Sequence, residues 1–98
     1  MNKLDKVASD FNKTWSVVSS YFNINEKTLL NNNTEDVVSA RYCLVFILSE
    51  KYNDNDISKA TRLSKSVVNK IRNKVARKEM PRNFYLELKE VKCLLETK

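Results

Sequence analysis

DISKATRLSKSVVNKIRNKV, residues 56–75, is the stretch whose reading decides the fold. Ile57 and Ala60 share one face of a short helix, with Asp56, Ser58 and Lys59 beside them. Arg62-Leu63-Ser64 interrupts it, and Ser64 is a natural N-cap because its hydroxyl can accept from free amides of the next turn. From Lys65 a second helix is expected, with Val68, Ile71 and Val75 at three- and four-residue spacing on its inner face. Its outer face carries Lys65, Ser66, Asn69, Lys70 and Asn73, donors and acceptors that suit base edges and phosphates.

Two short helices, a tight turn and a basic second helix describe a helix-turn-helix. The stretch resembles that of the lac and lambda repressor class, through Ile57, Ala60, Leu63-Ser64, Val68 and Ile71 at matching spacing. The resemblance implies double-stranded DNA as partner, with Lys65, Ser66 and Lys70 among the base-reading side chains. That class usually has Gly where Arg62 stands, at a turn position that often goes left-handed. Arg there costs about 1 kcal/mol relative to Gly, so a variant or longer turn is expected.

Charge points the same way. Residues 62–78 hold Arg62, Lys65, Lys70, Arg72, Lys74, Arg77 and Lys78 and no acid, whereas the whole chain is only +6. A solvated face usually mixes signs. One sign gathered on one helix is the footprint of a phosphate-binding surface. Lys59, Arg62, Ser64, Arg72, Lys74, Arg77 and Lys78 are the expected phosphate contacts. Ser66, Asn69 and Asn73 add polar groups without charge, which argues for base readout over charge alone.

Length and composition bound the rest. Ninety-eight residues, 42% hydrophobic and 31% charged, suit one globular domain with a modest core. Residues 1–33 read as an N-terminal helix and loop, 34–79 as a central helix plus the helix-turn-helix, and 80–98 as a C-terminal helix. The chain has no Gly, one Pro and no His. Turns are therefore expected from Asn and Asp, in the runs NIN, NNN and NDND. Lack of His removes the usual general base and the commonest metal ligand. The acids form no catalytic pair, and without Gly there is no phosphate-cradling loop, so neither an enzyme nor a cofactor or metal site is expected. Cys43 falls in the most apolar run and reads as a small buried thiol. Cys93 lies on the last helix; a disulfide between them stays open. VVSARYCLVFILS is too short and interrupted to span a bilayer, and no signal peptide is visible, so a reducing cytoplasmic setting is expected.

From the N-terminus, Leu4, Ala8, Phe11, Trp15, Val18 and Phe22 form a helical seam over roughly residues 3–22. Residues 23–34 read as a connection, with Leu29-Leu30 turned inward. Thr34 is a plausible N-cap, and Glu35 and Asp36 suit the helix dipole. The next helix should run to about Tyr52 and, being apolar around most of its circumference, form the centre of the core, Phe46 included. The second helix of the hairpin is expected to continue to Glu79 and stop before Pro81. Asn83 could cap a last helix with Phe84, Leu88, Val91 and Leu95 inward. Alternation of Phe84, Leu86 and Leu88 also fits a winged-helix strand, but without a hairpin turn or partner strand the helix is preferred. The fold class is all-α, a compact bundle of about five helices containing a helix-turn-helix.

A second resemblance covers residues 37–75. VVSARYCLVFILSEKY, followed by DIS and a basic helix, is similar to the C-terminal DNA-binding domain of the bacterial replication initiator DnaA, through Val38, Ala40-Arg41, Leu48, Glu50 and Ile57. It implies Arg41 near the phosphate backbone; otherwise Arg41 is a surface cation paired with Glu35 or Glu50. The family's Asp-His-(Thr/Ser)-Thr-Val signature is replaced here by Leu63-Ser64-Lys65-Ser66-Val67. Its basic minor-groove loop corresponds to the non-basic residues 31–36.

The leading expectation is a small sequence-specific transcriptional regulator. The abundance of Asn and Lys hints at a phage or mobile element. A replication accessory, an architectural DNA binder, and an interaction module gripping an acidic protein with the same basic face are the rivals. Self-association is expected through the Leu4–Phe22 or Phe84–Leu95 seam, unless one monomer consumes both.

Overall fold

In the computed structural model, which describes residues 3–25, 27–28 and 34–96, five helices follow one another: α1 Lys3–Phe22, α2 Glu35–Ser49, α3 Asp54–Thr61, α4 Lys65–Ala76 and α5 Arg82–Glu96. No strand occurs among the described residues, so the molecule is an all-α bundle, and the segment weighed as a wing is helical. All five helices feed one core, from Val18 and Phe22 through Leu44 and Val45 to Ile57, Ile71, Phe84 and Val91.

Helix α2 is the centre, as its all-round apolar sequence requires. It packs on each of the other four helices and buries Val37, Ser39, Ala40, Cys43, Leu44, Val45 and Leu48. Phe46 departs from expectation: it is half-buried at the core margin, with the Lys92 ammonium 5.9 Å from its ring centroid. The wholly buried ring is Phe84. Burial raises the Cys43 thiol to about 12. Cys43 and Cys93 are both free thiols, so the open question of a disulfide is answered against it.

Helix α1 keeps Phe11, Trp15, Val18 and Phe22 of the expected seam against the core and widens it with Val7, Thr14 and Val17. Val7, Thr14, Val17, Val18 and Phe22 are buried, Phe11 and Trp15 are half-buried, and Ala8 is exposed. The stripe is wider because α1 packs on three neighbours, α2, α3 and α5, and is covered on its flanks as well. The Leu4 side chain and the Leu29-Leu30 turn lie outside the described residues. On α5, Phe84, Leu88 and Val91 are buried and Leu95 packs against the core, as spaced. Phe11, Trp15, Val18 and Phe22 of the first seam and all four residues of the second thus pack into the core of one chain.

Helix ends show how a chain without glycine turns. Thr34 holds the N-cap position of α2 but its side chain makes no capping bond. Helix α2 stops at Ser49, three residues early. The amides of Glu50 and Lys51 bond back three residues, to Ile47 and Leu48, tightening the last turn. Asn53 then caps α3, its side chain accepting from the Asp56 amide. Helix α5 begins at Arg82, so Asn83 sits inside its first turn.

Positive φ falls at Asn23 (54°), in the expected NIN turn, at Arg62 (66°), the turn position where Gly is usual, and at Lys78 (59°). At Lys78 the α4 helix ends three residues short of Glu79. The Lys78 amide bonds to the Val75 carbonyl and the Glu79 amide to the Lys74 carbonyl, a Schellman arrangement that satisfies carbonyls a helix end leaves open. Tyr85 then pins the chain: its hydroxyl donates to the Val75 carbonyl at 3.1 Å and accepts from the Met80 amide at 3.3 Å.

Candidate nucleic-acid interface

The connection between α3 and α4 is three residues long, and its conformation follows from hydroxyls rather than from glycine. Arg62 takes the left-handed position, its amide bonded to the Ser58 carbonyl. The cost of about 1 kcal/mol for a non-Gly residue there is offset by side-chain bonds. Ser58 Oγ donates to the Leu63 carbonyl at 2.6 Å. Thr61 Oγ1 donates to the Ile57 carbonyl at 2.8 Å and accepts from the Leu63 amide at 3.3 Å. Ser64 then caps α4 by accepting from the Val67 amide. Sequence reading found Ser64; it did not assign Ser58 and Thr61 this work.

Helix α4 is fixed to the core by Val68, Ile71 and Val75, all buried. The opposite face presents the five expected base-contact residues together. Lys65, Ser66, Asn69 and Lys70 are exposed and Asn73 is half-exposed. Ser66, Lys70, Asn73 and Arg77 succeed one another at four-, three- and four-residue steps, which lines them on one side of the helix. Asn69, Lys70, Asn73, Lys74, Arg77 and Glu79 border a shallow groove of about 440 Å³ on this face.

The expected phosphate set is divided by the fold. Arg77 and Lys78 are exposed just past the end of α4. Lys59 and Arg62 are exposed too, but they border a different groove, with Val7, Phe11 and Asn12 of α1. Ser64 spends its hydroxyl on the cap. Lys74 is half-buried, with its ammonium 6.0 Å from the Tyr42 ring centroid. Arg41 is half-buried on α2, outside the α3–α4 hairpin.

Arg72 is the clearest departure. Its Nε donates to Asp54 Oδ1 at 3.0 Å and its Nη2 to Oδ2 at 3.1 Å, a two-point pair across the α3–α4 hairpin. Asn69 Nδ2 also donates to Asp54 Oδ2, at 3.0 Å, and Asn73 Nδ2 donates to Asn69 Oδ1 at 3.1 Å. Asp54 is therefore the hub of a network that sequence reading did not see. The amide of Asn69 and then the guanidinium of Arg72 hold its carboxyl below the ordinary 3.8, against partial desolvation, with Lys65 adding a smaller electrostatic pull. The network orders the two asparagines. It also neutralises one of the seven cations. No sequence-local pattern signals this, since Asp54 lies 15 and 18 residues before its partners.

What the face offers is a rigid helix with cations, hydroxyl and amide groups on its solvent side and a positive N-terminal end. Such a surface complements a polyanion. No cluster of metal-ligating side chains occurs among the described residues. No described helix is long and apolar enough to cross a membrane. Comparison with protein-family models, with curated proteins and with solved structures finds no match for this chain.

Proposed function

We propose that the chain binds double-stranded DNA through the outer face of α4 and acts as a small sequence-specific regulator of transcription. The observation that carries this is the stripe Ser66, Lys70, Asn73 and Arg77. It holds no acid, it lies opposite the buried stripe of α4, and the helix bearing it is capped at both ends. Lys70 and Arg77 supply charge, and Ser66 and Asn73 supply the paired donors and acceptors that base edges require. The ordered amides of Asn69 and Asn73 favour base readout over sliding on charge alone, because amides held in place lose less freedom on contact.

Selection of bound sequences from a random duplex pool tests it. The expected result is a defined motif, with binding that weakens as salt rises. With Lys65, Lys70, Arg77 and Lys78 as the charges of this face that displace counterions, the slope of log affinity against log salt should be about −3 to −4. A pool that emerges unsorted removes the specificity. No retention of duplex at low salt removes the DNA partner altogether, and an acidic protein then becomes the ligand to seek for the same face.

A further inference from the structure

The exposed large hydrophobics among the described residues are Val67 (39%), Leu86 (55%) and Leu94 (43%). Two of the three share α5, and Cys93 is exposed beside Leu94. That is a patch rather than the scatter ordinary on soluble surfaces. With Tyr21 of α1 these residues line an open groove of about 610 Å³, whose charged members are Lys89 and Glu90. Leu86 and Cys93 lie opposite the buried stripe Phe84, Leu88 and Val91, so core packing leaves them uncovered. The Tyr21 hydroxyl donates to Glu90 and holds that carboxylate at the edge of the groove.

We propose that this face of α5 binds a second copy of the chain, α5 against α5 in antiparallel register. The pattern Leu86, Lys89, Glu90, Cys93 is self-complementary about a two-fold axis between Lys89 and Glu90. That axis sets Leu86 against the second copy's Cys93, and Lys89 against the second copy's Glu90, each contact made twice. A parallel pairing would set Lys89 on Lys89 and Glu90 on Glu90, like against like. The face is free to pair because α5 packs on α1 and α2 through its other side. One helix face falls short of the roughly 1,200 Å² of a standard stable interface. The dimer is accordingly weak, filled at high protein concentration or where two copies are held close together.

The test needs no DNA, so its failure and that of the DNA-binding proposal are separable. Sedimentation equilibrium is run from about 10 μM to about 1 mM, the range suited to an interface this small. Apparent mass should climb from 11.5 kDa towards twice that value. Leu86→Glu should weaken association about tenfold or more, by removing two apolar contacts and adding charge to the axis region. Lys89→Glu should weaken it as well, and Lys89→Glu with Glu90→Lys together should restore it. Circular dichroism checks that these exposed substitutions leave the helices intact. A species that stays at 11.5 kDa throughout overturns the proposal. So does an association indifferent to Leu86→Glu, or one that the double exchange fails to restore.

Discussion

Helices α4 and α5 are built to one inner pattern and differ in what they turn outward. Val68, Ile71 and Val75 anchor the first, and Phe84, Leu88 and Val91 the second, at the same three- and four-residue steps. Outside, α4 and the cap residue that ends it carry Ser66, Lys70, Asn73 and Arg77 without an acid, whereas α5 carries Leu86, Lys89, Glu90 and Cys93. The inner stripes say that both helices belong to one bundle. The outer stripes separate a surface suited to a polyanion from one suited to a copy of itself.

The comparison is broken hardest from inside. Phe84→Ala should cost about 3–5 kcal/mol, since it empties a fully buried ring site. Phe46→Ala should cost clearly less, about 1–2 kcal/mol, because that ring is only partly buried at the core margin. Urea titration of both variants measures the difference. Equal costs would mean that the burial of the two rings is not as described.

The next effect lies on the outer face of α4. Lys70→Ala should lose about 1–3 kcal/mol of specific binding to the selected duplex if it makes a paired base contact. Folding should stay unchanged, since Val68 and Ile71 carry the packing. Lys74→Ala should lose less, because that ammonium already rests against Tyr42. Fluorescence titration of the two variants ranks them, and a larger loss at Lys74 would shift the binding surface towards α2.

The smallest effect concerns Asp54. Its folded-state pKa lies below the ordinary 3.8, so ionised Asp54 stabilises the fold above about pH 4. That contribution is lost as pH falls through the lower folded value. The size should be under about 1 kcal/mol, the scale of a partly exposed pair. Stability measured against pH should show wild type above Asp54→Asn near neutrality, with the gap closing in acid. A gap that stays constant down to pH 2 would show that Asp54 acts by some route other than its charge.

The sequence by itself determined much that is local. Periodicity alone places α1, α4 and the inner stripe of α5, because side-chain direction repeats every 3.6 residues whatever the neighbours. The Ser64 cap and the centrality of α2 follow from residue types in short windows. The clustering of Lys65, Ser66, Asn69, Lys70 and Asn73 on one face was legible for the same reason. What the tertiary structure decided is non-local. The α1 stripe widens to Val7 and Thr14 because three helices surround it. Phe46 is marginal because of where α5 lies, not because of its own neighbours in sequence. Left-handed turns fall on Arg62 and Lys78, where the amides of Arg62, Lys78 and Glu79 donate to the carbonyls of Ser58, Val75 and Lys74. Arg72 pairs with Asp54 because α3 and α4 meet at a distance and angle that bring the two together. A helix pattern fixes which way a side chain points; only the packing of helices fixes what it meets.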